Sequence, residues 1–269
     1  MRRRLHAVEQ HRSALPGVEA MTLLTAHVFP RHAHDGFGLG LITSGAQRSW
    51  SGIGMVEAKA GDVITVNPGE VHDGAPLGDG PRGWRMLYIA PHLVAREADE
   101  MEERRPEIAR PALRDPALAA LLGRLFTEIT RSAPDGFGVE EALLRTLARL
   151  LGRHGAWPRA VAASASPAVA AARRRLDAAP ELPASLAELA ALSGVSRFQL
   201  LRGFRREVGV TPHAYLVQLR VRLARRLLAA GRAPAEAAAS AGFADQSHMT
   251  RAFARQFGVT PARYRAAVA

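Results

Sequence analysis

A twelve-residue string occurs twice near the end of this chain. Phe204-Arg-Arg-Glu-Val-Gly-Val-Thr-Pro-His-Ala-Tyr215 returns as Phe253-Ala-Arg-Gln-Phe-Gly-Val-Thr-Pro-Ala-Arg-Tyr264, with seven of twelve positions identical at an offset of 49. Arg202 and Arg251 keep that offset, whereas Ala190 and Gly194 match Ala238 and Gly242 at 48, so one residue is inserted between. Self-similarity at a period near 50 means that two supersecondary units share one plan. Each unit reads as helix, tight turn, helix. In the first, Ser185 caps a helix and Glu188 completes a capping box. Leu186, Leu189, Ala190 and Leu192 supply its apolar stripe. Gly194 allows a positive φ in the turn, and Ser196 caps a second helix that runs to about Val208. Phe198, Leu201, Phe204 and Val208 stand at helical spacing along it. Gly209 closes that helix, and Thr211-Pro212 opens the next one. The second unit repeats the scheme with a helix over 235–241, Gly242 in the turn, Asp245 as cap, a helix to about Phe257, then Gly258 and Thr260-Pro261.

Two short helices joined by a glycine-containing turn form a helix-turn-helix. The second helix of such a unit fits the major groove of DNA. Between the units, residues 212 to about 230 are helical by composition and span roughly 28 Å at 1.5 Å per residue. That is close to the ~34 Å of one DNA turn. One chain is therefore expected to set two reading helices in successive grooves. Charge agrees: 167–269 carry 16 Arg against 6 acids, whereas 1–166 carry 20 basic and 19 acidic residues. A basic rear part is an electrostatic footprint for a polyanion, and double-stranded DNA is the expected partner.

The string Gly242-Phe243-Ala-Asp245-Gln246-Ser247-His248-Met-Thr250-Arg251-Ala-Phe253, followed by Gly258-Val-Thr260-Pro261 and Tyr264-Arg265, resembles the signature of the AraC/XylS family of bacterial transcription regulators. The resemblance covers about 169–265. It implies seven helices holding two helix-turn-helix motifs about a long connecting helix. It also points to Phe198, Leu201 and Arg202 for base edges, with Arg197 beside them. In the second unit the N-terminal half of the second helix offers Gln246, Ser247, Thr250 and Arg251 to the groove, and Ser247, His248 and Thr250 can serve bases or phosphates. Chemistry supports the assignment: Arg202 can pair bidentately with guanine, Gln246 with adenine, and Phe198 or Leu201 can meet thymine methyls. Other readings stay open: Phe198 and Leu201 also fit the core stripe, Gln246 and Ser247 also suit a helix N-terminus, and Arg251 can bridge to an acid. Arg205, Arg206, Arg255 and Arg265 are better placed for phosphates. Arg220, Arg222, Arg225 and Arg226 are expected mostly in solvent, with phosphate contact as the other reading.

The front part is expected to be β-rich. Candidate strands are 22–29, 37–43, 47–51, 54–58, 62–66 and 84–89, punctuated by glycine and proline. Evenly spaced short strands suggest a small barrel or jelly roll. Gly61-Asp-Val-Ile-Thr-Val-Asn-Pro68-Gly69-Glu70-Val71-His72, with His32-Ala-His34 upstream, resembles the two halves of a cupin signature, which fits AraC-type front domains. His32, His34 and His72 are the candidate ligand-binding residues, as polar groups of an effector pocket. A metal site and ordinary packed histidines are the other readings. A metal-binding cupin would add a Glu after His34, but Asp35-Gly-Phe-Gly-Leu-Gly follows instead, so neither a metal nor any other cofactor is assigned. Two leucine-striped helices, 115–132 and 139–153, are expected as an antiparallel pair that packs on the barrel or forms a dimer seam. Glu97–Glu107, with its mixed charges, reads as a solvated helix or loop.

The expected fold is thus α+β. A cupin-like domain with a helical pair spans 1–155, a Pro- and Ser-bearing linker 156–167, and an all-α double helix-turn-helix domain 168–269. The expected function is sequence-specific transcription regulation under a small-molecule effector. The resemblance adds RNA polymerase and a homodimer as partners. The rivals are a metal-dependent cupin enzyme fused to a DNA-binding domain, and a non-specific DNA organiser. No catalytic residues are assigned, since no Gly-x-Ser-x-Gly, phosphate-cradling loop or paired-carboxylate motif occurs. With no cysteine, disulfides and thiolate metal sites are excluded. No apolar run is long enough to span a membrane. Arg2 to Arg4 are followed by polar residues and not by an apolar stretch, so a cytoplasmic protein is expected.

Overall fold

The computed structural model describes residues 6–100, 106–156 and 166–268. Its contacts fall into two units, Met1–Ala160 and Val161–Ala269. The division lies within the expected linker, most of which is outside the described residues.

Among the described residues, unit one opens with nine strands: β1 (His6–His11), β2 (Val18–Thr25), β3 (Phe29–His32), β4 (Phe37–Ser44), β5 (Ala46–Ser51), β6 (Gly54–Lys59), β7 (Val63–Val66), β8 (His72–Pro76) and β9 (Arg82–Ile89). Then follow α1 (Pro91–Glu100), β10 (Glu107–Ile108), β11 (Ala112–Leu113), α2 (Pro116–Ile129), α3 (Gly136–His154) and β12 (Gly155–Ala156). A six-stranded sheet runs β1-β2-β9-β4-β7-β11, and a four-stranded sheet β3-β8-β5-β6. All pairings recorded between these strands are antiparallel. The strand expected at 22–29 is two strands in different sheets, because the chain leaves one sheet at Thr25 and enters the other at Phe29. β1 and β8 were not expected; their sequences, HAVEQH and HDGAP, carry too few apolar residues to alternate.

The larger sheet has two differently used faces. On β9, Arg82, Trp84, Met86 and Tyr88 alternate with Gly83, Arg85, Leu87 and Ile89, so the two sets point opposite ways. Leu87 and Ile89 join Val18, Ala20, Phe37, Leu39 and Val63 in a core shared with α1, α2 and α3. The leucine stripes of α2 and α3 therefore cover this face: Leu118, Leu122, Leu125, Leu143, Leu147 and Leu150 are all buried. Asp115 caps α2 and also receives Arg149 at 2.7 Å and His154 at 2.9 Å. α1 extends further back than the expected solvated segment and buries Leu93, Val94 and Ala98; 101–105 lie outside the described residues. The opposite face looks toward the smaller sheet, where Phe29 meets Trp84 edge-on at 6.1 Å. Gly38 and Gly40 of β4 leave this face the room it needs: a Cβ at Gly38 would lie 2.7 Å from Met86 Cε, and one at Gly40 2.7 Å from Met86 Sδ.

Unit two is helical: α4 (Pro167–Ala178), α5 (Leu186–Leu192), α6 (Arg197–Val208), α7 (Pro212–Ala229), α8 (Pro234–Ser240), α9 (Gln246–Phe257) and α10 (Pro261–Val268). Local chemistry sets the boundaries. Ser185 with Glu188 and Ser196 with Gln199 form reciprocal capping boxes, while Asp245 and Thr211 cap α9 and α7. Gly209 and Gly258 end α6 and α9 in the left-handed conformation. α7 is the hub and packs against α4, α6, α8, α9 and α10.

Candidate functional site

The repeat is reproduced atom for atom in its turns. Gly194 N–H donates to Ala191 O at 3.2 Å and Val195 N–H to Ala190 O at 3.2 Å. Forty-eight residues on, Gly242 N–H donates to Ala239 O and Phe243 N–H to Ala238 O, both at 3.0 Å. The inserted residue lies between the turn glycine and the next cap: Ser193–Ser196 separates α5 from α6, but 241–245 separates α8 from α9. The bonding that fixes each interhelix angle is thus kept, and the extra residue is absorbed where the chain is exposed.

The anchoring faces of α6 and α9 also correspond. Leu200 and Phe204 are buried on α6; Met249 and Phe253, at the same offset, are buried on α9. This corrects the apolar stripe expected for α6. Phe198 is 69% exposed and Leu201 36%, so neither belongs to the core. Leu200 takes the inward place, because one residue turns the helix by about 100° and only one of two adjacent leucines can face in. Arg197, Arg202, Arg205 and Arg206 share the exposed surface of α6, and Gln246, Ser247, Arg251 and Arg255 that of α9. Thr250 is half-buried, as is His248, whose ring stands edge-on to Phe243 at 5.2 Å. Among the described residues Arg197, Arg202, Arg251 and Arg255 form no ion pair; Arg206 holds Glu207 at 2.7 Å.

The arginines of α7 behave differently from expectation. Arg222 and Arg225 are buried, with Arg225 over the Phe257 ring at 5.3 Å. Arg220 donates to the carbonyls of Pro180 at 2.8 Å and Leu182 at 3.1 Å. Burial depresses the Arg220 pKa, opposed by the charge of Glu181. These side chains hold the domain together by their stems and donors, a use of arginine that composition alone does not reveal. Arg226 remains exposed and Arg265 is half-buried.

In unit one, His32, His34 and His72 come together. His32 of β3 is the direct cross-strand partner of His72 of β8, although forty residues separate them. His34 follows β3 and is fixed by its carbonyl, which accepts from Gly69 N–H at 2.8 Å. The ligand atoms of the three rings all lie within 4.8 Å of one another. His32 and His34 are buried and His72 is half-buried. His32 Nδ1 stands 2.7 Å from the Pro30 carbonyl and His72 Nδ1 3.1 Å from that of Glu70. A carbonyl only accepts, so both Nδ1 atoms carry the proton and both Nε2 atoms present a lone pair. Burial pushes the His32 pKa down to about 3, helped by His72 and opposed by the Pro30 carbonyl. Burial also lowers that of His72, against the Glu70 carbonyl and Asp73. All three rings lie between the sheets, since Tyr88 of β9 brings its hydroxyl to 3.3 Å from His34 Nε2.

Sequence reasoning missed Tyr88 and Arg82, which share one face of β9. Arg82 is 1% exposed, donates to Gln47 Oε1 at 3.2 Å and His27 O at 3.1 Å, and lies over the Trp84 ring at 4.8 Å. Burial lowers its pKa to about 10. The alternation Arg82-x-Trp84-x-Met86-x-Tyr88 was the available signal; it marks a strand face with polar groups set among large apolar ones.

A chain that carries a β-sandwich with a polar interior in one unit and two tandem helix-turn-helix motifs in the other defines a ligand-responsive DNA-binding regulator. Comparison with known proteins agrees. Residues 21–148 match the AraC-like ligand binding domain and 189–267 a helix-turn-helix domain. The HTH-type transcriptional regulator YbfI of Bacillus subtilis (strain 168) is 29% identical over 225 residues, covering 82% of this chain and 81% of its own. The HTH-type transcriptional regulator MtrA of Neisseria gonorrhoeae is 36% identical over 89 residues, 32% of this chain and 29% of its own. Unsaturated fatty acid bound wild-type ToxT from Vibrio cholerae strain SCE256 shares the fold, with TM-score 0.57 and 12% identity over 100% of this chain and 98% of that one. The chain has the make-up of an AraC-type transcriptional regulator, with an N-terminal ligand-binding domain and a C-terminal helix-turn-helix DNA-binding domain. No described helix is long and apolar enough to cross a membrane.

Proposed function

We propose that this regulator reads its operator with Arg197, Phe198, Leu201, Arg202 and Arg206 of α6 and with Gln246, Ser247, His248, Thr250, Arg251 and Arg255 of α9. A small molecule bound at His32, His34 and His72 sets whether it does so. The observation that carries this reading is the matched pair of helices, anchored by corresponding buried residues (Leu200 and Phe204, Met249 and Phe253) and exposing at the same repeat position Arg202 and Arg251, which form no ion pair among the described residues. α7, with 18 residues, is about 27 Å long, a suitable spacer for adjacent grooves. The effector acts by binding one functional state more tightly than the other, since equal affinity shifts nothing. The protein works in the cytoplasm as a homodimer, engages RNA polymerase, and performs no catalytic step.

The test is binding of fluorescent operator DNA at fixed salt. Arg202→Ala and Arg251→Ala should each weaken specific binding by ~1–3 kcal/mol and relax preference at one base pair. A loss of equal size on every DNA sequence would move that arginine to the phosphate contacts.

A further inference from the structure

We propose that His32, His34 and His72 form a three-imidazole site for one transition-metal ion of the zinc and copper class, which gives the ligand-binding domain its hold on an anionic oxygen-donor effector. This rests on the preceding reading of the pocket and names its chemistry. Three features point to it. The ligand atoms of three separate histidines gather within 4.8 Å. Donors about 2.1 Å from a shared tetrahedral ion stand about 3.4 Å apart, so loading requires only that the rings draw inward. On two of the three rings the proton is already on the outer nitrogen: Pro30 and Glu70 carbonyls hold Nδ1–H of His32 and His72, leaving Nε2 to coordinate. Backbone carbonyls on the outer nitrogen are the usual support of a metal-ligating histidine. Finally, the half-buried His72 leaves a route in, while His32 and His34 are shielded.

The donor set chooses the metal and the effector. Neutral imidazoles suit zinc, copper, nickel, cobalt and iron, whereas magnesium and calcium demand oxygen ligands. Among the described residues the cluster contains no carboxylate. Three neutral ligands leave both charges of a divalent ion uncompensated and at least one coordination position open. The buried Arg82 guanidinium adds further positive charge to the same interior. A carboxylate or enolate oxygen of the effector satisfies both demands.

The experiment uses full-length protein without an affinity tag, stripped with chelator and titrated with cobalt(II) chloride. The expected result is a saturable visible d–d spectrum at one ion per chain, displaced by zinc. His34→Gln and His72→Gln should each weaken cobalt binding about 100-fold or more, while His11→Gln, which lies outside the cluster, should not. Folding of each stripped variant is checked by its melting curve, and acetate added to the cobalt form should perturb the spectrum. Wild-type protein that is folded but gives no cobalt spectrum, or a spectrum unchanged in His34→Gln and His72→Gln, overturns the proposal. The pocket reading fails separately: it falls if metabolites that shift the wild-type melt shift His72→Gln equally. Turnover of substrate by the metal-loaded protein would replace an effector site with an enzyme.

Discussion

The two turn glycines occupy equivalent places, yet the structure surrounds them differently. Gly194 has φ +65°, and a Cβ built there meets nothing within 4 Å. Gly242 has φ +79°, and a Cβ there falls onto the carbonyl oxygen of Glu181 and comes within 2.8 Å of Glu181 C and Cα. Alanine at either site costs ~1–2 kcal/mol for the left-handed backbone. A stiffer unfolded chain returns about 0.4–1 kcal/mol. Gly194→Ala should therefore destabilise by about 1 kcal/mol. Gly242→Ala adds overpacking against backbone, typically ~1–3 kcal/mol, for a total of about 2–4 kcal/mol. The Glu181 segment has little freedom to yield, because Arg220 holds the carbonyls on both sides of it. For a unit of about a hundred residues, the two variants should differ in melting temperature by roughly 5–15 °C. Urea and thermal unfolding of the full chain, followed by helical circular dichroism, measures this. Equal losses, or a harmless Gly242→Ala, would refute the claim that the second turn is pinned by tertiary contact.

Leu200→Ala should cost about 2–5 kcal/mol of stability, while Leu201→Ala should cost under about 1 kcal/mol and act on operator affinity instead; urea midpoints and DNA titrations of both variants decide this. Metal-free unit one should lose stability as pH falls. His32 titrates near 6.5 when unfolded but about 3 when folded, so the unfolded chain binds more protons between those values. The loss therefore begins near pH 6.5, continues toward pH 3, and should be shallower in His32→Gln; melting curves across that range test the sign. Asp115 adds a lower step. Hydrogen bonds from Arg149, joined by His154 and Leu118 N–H, outweigh burial and hold its carboxyl below the usual carboxylate range. Its stabilisation is full above about pH 4 and fades below it, and Asp115→Ala should remove that step along with ~0.5–2 kcal/mol of helix capping.

Unit two was legible to the degree that its instructions are local. Ser185, Ser196, Thr211 and Asp245 cap the helices expected of them because a cap acts within three residues. The turn glycines act on their own φ, and the repeat exposes both units at once. The sandwich was legible wherever strands alternate or meet glycine, but not at β1 and β8, whose polar strings are held by pairing with β2, β3 and β5.

By itself, then, the sequence determined that two like helical units follow a β-rich domain, where the capped helices of those units start, and that the rear carries the positive charge. Only the tertiary structure decided which of two neighbouring leucines faces inward, which arginines of α7 are buried, and that His32 lies across from His72 with Tyr88 reaching His34 from the other sheet. The physical reason is range. Caps, turns and periodicity are settled by neighbours a few residues away, whereas the inward face of a helix and the membership of a pocket depend on partners tens of residues distant, brought close only when the whole sheet pairs and the core closes.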